Sequence, residues 1–156
     1  MKIKLLLMGK TTDESIRRIE ADYEKRIKRY TAFESIVIDN SSVRTGTEQI
    51  IRQKEGEMIL KKVSPADHLI LLDERGKIYS SVQFANEVNN WMNSSKKTII
   101  LTIGGAYGFS DEVKKRANGL VSLSAMTFSH QIVRIILMEQ VYRAFTILNN
   151  EPYHHA

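Results

Sequence analysis

Short apolar blocks alternate with longer stretches of helical spacing along this chain. Lys2 to Met8 is an apolar block that stops at Gly9 and predicts a first β-strand. Thr11 with Glu14 three residues on predicts a capping box. Behind it Ile16, Ile19, Tyr23, Ile27 and Tyr30 recur as on one face of a helix. Between them lie Arg17, Arg18, Lys25, Arg26, Lys28 and Arg29, which read as a solvated outer face. Phe33 to Asp39 predicts a second strand, and the polar run Asn40 to Gly46 a mobile loop. Thr47 is placed to cap a helix running to about Lys62, before Ser64-Pro65.

The second half repeats the alternation. His68 to Leu72 predicts a third strand. Ser80 and Gln83 form a capping-box pair before the stripe Val82, Ala85, Val88 and Met92. Thr98 to Ile103 is rich in β-branched residues and runs straight into Gly104-Gly105. Ser110 can cap a short helix with Asp111 and Glu112 in its first turn, Lys114, Lys115 and Arg116 in its last, and Gly119 to close it. Leu120 to Leu123 predicts a fifth strand, and His130 to about Leu148 the longest helix. Apolar strands alternating with helices predict an α/β fold, with a mainly parallel sheet and helices on both faces. Residues 1–156 show no internal boundary and read as a single domain.

The long helix carries more than a fold signal. Ile132, Val133, Ile135, Ile136, Leu137, Met138, Val141, Phe145, Ile147 and Leu148 make it apolar on most sides. A helix covering one face of a sheet needs only one apolar stripe, so the second face predicts a partner subunit and a homodimer. At about 100° per residue, His130 and Arg134 share one side. Glu139 and Arg143 lie nearly opposite, four apart, as a structural ion pair. Arg134 sits among Val133, Ile135 and Ile136, so its guanidinium needs an anion or a carbonyl. It is a candidate site residue.

Composition narrows the class. The sequence has 156 residues, 42% hydrophobic and 26% charged, as a globular protein does. It has no cysteine, which excludes disulfides and thiolate metal sites. A formal charge of +5 favours polyanionic partners. The N-terminal Leu5 to Met8 is too short for a secretion signal, and no stretch is apolar enough to span a membrane, so a cytoplasmic location is expected.

In open α/β sheets ligands bind beyond the carboxyl ends of the strands. Here those ends are Leu72-Asp73, Gly104-Gly105 and Leu123-Ser124, and together they predict a crevice. The dinucleotide fingerprint is absent, because IGGAYG carries glycines at 104, 105 and 108 only. There is no P-loop and no G-x-S-x-G elbow. No histidine spacing suggests a metal, and no acid/base carboxylate pair stands out.

The runs LLDERGK (71–77), LTIGGAYG (101–108), SLSAMTFSHQIVRIILMEQVYRAF (122–145) and PYHH (152–155), with QKEGE (53–57), carry a resemblance. They resemble the bacterial large-subunit ribosomal RNA pseudouridine N3-methyltransferases, minimal members of the SPOUT class. The resemblance implies a C-terminal trefoil knot, a homodimer and S-adenosylmethionine as cofactor. The implied substrate is a pseudouridine in the 23S rRNA stem-loop at the subunit interface of the assembled ribosome, not DNA and not a membrane. Carried over residue by residue, it implies cofactor contacts at Leu72, Gly104, Leu123, Ser124, Ala125, Met126, Thr127 and Phe128. An adenosyl group wants such an apolar slot with a few backbone partners.

The N3 of pseudouridine must lose a proton before it attacks. An arginine can stabilise charge on the flanking carbonyls, and a histidine can accept the proton. Arg134 is the candidate for the first role, and Tyr153 and His154 for positioning or proton transfer, with the tail acting across the dimer. Two residues depart from the family pattern. Ser129 replaces a proline before His130, and His155 replaces a terminal lysine or arginine, which puts substrate affinity or its pH dependence in question. The rival expectation is a non-catalytic RNA- or ribosome-binding module of the same fold, with no cofactor affinity.

Overall fold

The computed structural model describes residues 1–155. Its five strands form one sheet, and every strand pair is parallel. The strands are β1 (Lys2–Met8), β2 (Ala32–Ile38), β3 (His68–Ile78), β4 (Thr98–Ile103) and β5 (Gly119–Ser122). Their spatial order is β2-β1-β4-β3-β5. The helices are α1 (Glu14–Ile27), α2 (Glu48–Leu60), α3 (Ser81–Asn93), α4 (Asp111–Arg116) and α5 (Ile132–Leu148). A single 3₁₀ turn spans Ser41–Val43.

The sheet buries both faces, which is why β1 and β4 are apolar almost throughout. On one face Ile3, Leu5, Leu7, Ile99, Leu101 and Ile103 pack with α1, α3 and α5 through Ile27, Phe84, Val88, Leu137, Val141 and Phe145. On the other, Leu6, Met8, Leu69, Leu71 and Ile100 pack with α2 and α4 through Ile59 and Val113. The period-two alternation of β1 sorts its side chains between these cores. Each fully buried leucine or isoleucine contributes about 1.5–3 kcal/mol.

The expected elements are present, with local corrections. Asp13, not Thr11, caps α1, accepting from Ile16 N at 3.1 Å. Thr11 is instead buried and donates to Glu20 Oε1 at 2.8 Å. The Ser80–Gln83 capping box forms, and Thr47 and Ser110 cap α2 and α4. Gly119 does not close α4; Ala117 does, and Gly119 opens β5. Asn40 anchors the run expected to be a mobile loop, donating through Nδ2 to Glu55 Oε2 at 3.3 Å.

The largest correction concerns β3, which runs on from Leu72 to Ile78. Its pairing with β5 skips from Leu72 to Lys77, so Asp73–Gly76 bulges out of register at the sheet's carboxyl end. A Cβ on Gly76 would lie 2.6 Å from the Val121 backbone, so only glycine lets the strands close after the bulge.

Candidate active site

The carboxyl ends of β3, β4 and β5 open onto one cavity of about 730 Å³. Its walls include Leu72 to Arg75 from the β3 bulge, Gly104 to Phe109 after β4, and Val121 to Phe128 running out of β5. His130 and Val133 close it at the start of α5. Every residue expected to touch the cofactor lines this cavity: Leu72, Gly104, Leu123, Ser124, Ala125, Met126, Thr127 and Phe128. Gly104 is buried against Phe109, whose ring would lie 3.0 Å from an added Cβ. Met126 and Phe128 are exposed large apolar residues at the rim.

Local chemistry shapes the loop after β5. Ser122 Oγ donates to Ser124 O at 2.9 Å, and Ser124 Oγ accepts from Met126 N at 3.0 Å. These side-chain bonds satisfy a turn that has no strand partner. Ser129, where the family pattern has proline, accepts from Ile132 N through its hydroxyl at 3.3 Å and so satisfies a donor at the start of α5, whose N-cap position is Gln131. Gln131 ties this junction to the first loop, accepting from Asp13 N at 2.9 Å and donating to Thr12 Oγ1 at 2.6 Å. The acidic residues Glu48, Asp73, Glu74 and Asp111 share the cavity wall with Arg52, Arg75 and Lys114. Arg52 donates to Tyr107 O at 2.9 Å, which fixes the β4–α4 turn.

Arg134 lies behind the cavity. It is buried, and its guanidinium donates to Met8 O at 2.9 Å and Thr11 Oγ1 at 2.8 Å. The expected carbonyl is therefore a backbone one at the end of β1. Burial pulls the guanidinium's pKa down, partly offset by Glu20. Arg134 also lines a second cavity of about 360 Å³ that meets the first along Gly105, Ala106, Tyr107 and His130.

Tyr153 and His154 are not brought to either cavity within the protomer. Tyr153 donates to Glu139 Oε1 at 3.1 Å, and its ring packs on Tyr142 with centroids 4.8 Å apart. Burial and the hydrogen bonds to Tyr23 and Glu139 push its phenol well above the usual range. His154 Nδ1 lies 3.2 Å from Arg143 Nη1. Arg143 in turn pairs with Glu139, donating from Nε at 3.0 Å, as the four-residue spacing predicts. The tail thus lies along the outer part of α5, away from its cavity-facing start.

Around the second cavity sequence reasoning singled out Arg134 but missed Asn40 and Glu55. Glu55 is only 3% exposed, although QKEGE reads as a charged helical surface. The adjacent Gly56 is the one local signal, because a Cβ there would lie 2.3 Å from Ser110 Oγ. A glycine inside a helix at so close a crossing marks a buried face, and Glu55 shares it.

Comparison with known proteins finds a family and relatives along nearly the whole chain. A family model described as a predicted SPOUT methyltransferase matches residues 1–154. The chain is 51% identical to the ribosomal RNA large subunit methyltransferase H of Flavobacterium psychrophilum, covering 99% of each. It is 52% identical to the protein of that name from Flavobacterium johnsoniae, again over 99% of each. A third, from Trichlorobacter lovleyi, is 46% identical over 99% of this chain and 100% of the relative. Among solved structures, a probable methylase family protein from Haemophilus influenzae superposes with a TM-score of 0.56 at 15% identity. That match covers 95% of this chain and 66% of the other, and it supports the fold alone. The chain belongs to the SPOUT methyltransferase family, whose methyl donor is S-adenosylmethionine.

Proposed function

We propose that this enzyme methylates N3 of a pseudouridine in the 23S rRNA stem-loop at the ribosomal subunit interface. The observation that carries the reading is the convergence of three strand ends on one cavity lined by all the expected cofactor contacts. The residues present fit the cofactor. Leu72, Ile103, Leu123, Met126 and Phe128 offer an apolar slot, and buried Gly104 keeps its wall thin. Carboxylates of Asp73 and Glu74 on the same wall suit a cationic donor. When bound, S-adenosylmethionine supplies an activated methyl group.

The chain's own residues have the remaining work of alignment, water exclusion and charge stabilisation. Arg134 holds positive charge on the wall of the second cavity, which suits stabilisation of a base losing its N3 proton. Gly105 to Tyr107 carry the backbone along the shared wall.

The active form is a homodimer in this reading. Ile132 is 49% exposed, and Val133, Ile135 and Ile136 are only partly covered by the protomer. With Met126 and Phe128 they form an apolar surface around the start of α5. Two α5 helices packed antiparallel about a twofold axis bring the tail of one protomer beside the cavity of the other. Tyr153 and His154 then serve the partner's site, which accounts for their distance from their own. The C-terminal knot is the path that family membership implies for 119–148. It is supported by the loop 123–128 sharing a cavity with the β3 bulge and the β4 turn. Among the described residues no helix is long and apolar enough to cross a membrane, and a cytoplasmic ribosomal substrate is consistent with that.

The test is methyl transfer from labelled S-adenosylmethionine to intact ribosomes lacking the modification, beside free 23S RNA. Label in one 23S pseudouridine is expected. Ribosome binding with neither label nor cofactor affinity would establish the non-catalytic module instead.

A further inference from the structure

Three buried side-chain polar atoms lack a hydrogen-bond partner among the described residues: Asn40 Oδ1, Thr102 Oγ1 and Arg134 Nε. Thr102 lies within β4, in the sheet. Asn40 and Arg134 line the same space, the cavity of about 360 Å³ behind the β4 turn. Both unpaired atoms are themselves buried, on side chains that line this cavity, so its polar wall is not fully satisfied by the protomer's own groups. Glu55 is the third polar wall. Its carboxylate accepts one hydrogen bond, from Asn40 Nδ2 at 3.3 Å. It presses on the wall shared with the cofactor cavity, within 2.7 Å of where a Gly105 Cβ would stand. Lys10 and Arg44 complete the lining with positive charge.

This pattern matches one kind of heterocycle. The edge of a uracil-type ring reads acceptor, donor, acceptor: a carbonyl oxygen, N3–H and a second carbonyl oxygen. Cytosine carries no proton at N3, and guanine shows one acceptor beside two donors. A carboxylate flanked by cationic donors is complementary to the first and to neither of the others.

Building on the function proposed above, we propose that this second cavity receives the target base by its imide edge and that Glu55 takes the N3 proton. The proton passes from N3 to a Glu55 oxygen. The electron pair left on N3 forms the new N–CH₃ bond, and the S–CH₃ bond breaks with its pair remaining on sulfur. The donor leaves as a neutral thioether, and Glu55, now a neutral acid, returns its proton to water after release. Arg134, Lys10 and Arg44 face the carbonyl oxygens on which charge develops. Burial holds the Glu55 carboxyl above the usual carboxylate range, against the opposing pull of Asn40 and Arg44, and a stronger base accepts the proton more readily. The charged and titratable groups facing Glu55 are Lys10 after β1, Arg44 before α2, Tyr107 after β4, and His130 and Arg134 at α5.

The experiment is single-turnover methylation of ribosomes lacking the modification, from about pH 5 to about pH 9, with wild type and Glu55→Gln. Wild type should show an acidic limb in its rate. Glu55→Gln should be slower by about 100-fold or more near neutral pH and should lose that limb. Its cofactor affinity by calorimetry should stay within about threefold of wild type, a change of under 1 kcal/mol. A variant keeping both the wild-type rate and its limb would overturn the proposal. Asn40→Leu tests the same cavity with the Glu55 carboxylate retained but stripped of its one hydrogen bond, and should cut methylation about tenfold or more at unchanged cofactor affinity. Full activity in Asn40→Leu overturns the base pocket even if Glu55→Gln fails to fold. Wild type that binds cofactor but labels no ribosome counts against the function itself, whereas active wild type with an active Glu55→Gln counts against this inference alone.

Discussion

An added Cβ at Gly104 would stand 3.0 Å from the Phe109 ring, so the residue has no room on its inner side. Valine there must push Phe109 aside or fill the slot between Leu72 and Leu123. We expect Gly104→Val to fold and to lose at least about tenfold in cofactor affinity by calorimetry; unchanged affinity in a folded variant would remove Gly104 from the pocket wall. His154 predicts the opposite split. It touches Arg143 and neither cavity of its own protomer, so His154→Ala should bind cofactor normally yet turn over more slowly on ribosomes. Wild-type turnover would take His154 out of the mechanism.

Glu55 carries a stability signature as well. Burial raises its pKa from an ordinary 4.5, so the folded state binds its proton more tightly than the unfolded chain does. Stability is therefore greatest below that ordinary value and falls as pH rises through the window up to the folded value. Glu55→Gln escapes this fall. Denaturant unfolding should find the variant more stable than wild type at pH 7, with the difference gone below about pH 4. A native residue that costs stability at neutral pH fits a site kept for chemistry.

At the scale of elements, the β3 bulge is the device that builds the site. Without the skip between Leu72 and Lys77, Asp73 to Arg75 would continue the ladder on β5 and no cavity wall would form. Gly76 makes the return possible, with the Val121 backbone 2.6 Å from its missing Cβ. Backbone cannot yield as a flexible side chain does. Gly76→Ala should cost about 1–3 kcal/mol in denaturant unfolding, the usual range for overpacking, and weaken cofactor binding with it. An alanine variant of full stability would show that β5 shifts freely. The bulge was not legible beforehand, because LLDERGK looks like a strand end followed by an exposed turn. Helix caps were more legible: Thr47, Ser80 and Ser110 act as their positions suggest, since capping depends only on residues three or four apart. Thr11 failed as a cap because Asp13 takes that role and Thr11 is held by Glu20 and Arg134.

For the whole molecule, the question is what covers α5. The protomer buries Leu137, Met138, Val141 and Phe145 against the sheet and leaves Ile132 49% exposed. Ile132→Lys should leave the protomer folded and turn a dimer into a monomer by sedimentation, since a lysine in an apolar twofold interface is met by its own copy. Loss of activity should follow, because each cavity in this reading needs the partner's tail. An active monomer would refute the shared site.

The sequence by itself determined the elements, their alternation, the two-faced burial of the sheet and the stretches that line the cavity at the strand ends. Those follow from periodicity, capping and strand-end position, which are local or nearly so, and from the family motifs. Tertiary structure alone decided that Glu55 is inside and which carbonyl Arg134, already legible as a cation among apolar residues, is paired with. Glu55 and Arg134 lie 79 positions apart along the chain numbering, yet they line one cavity with Asn40. Locally, only Gly56 marks the buried face that separates that glutamate from its solvated neighbours Glu48 and Glu57. Its burial is set by α2 crossing α4 at Gly56 and Ser110, and by the β4 turn folding back onto the carboxylate. A buried charge answers to partners brought from remote segments, and remote partners exist only once the chain has folded.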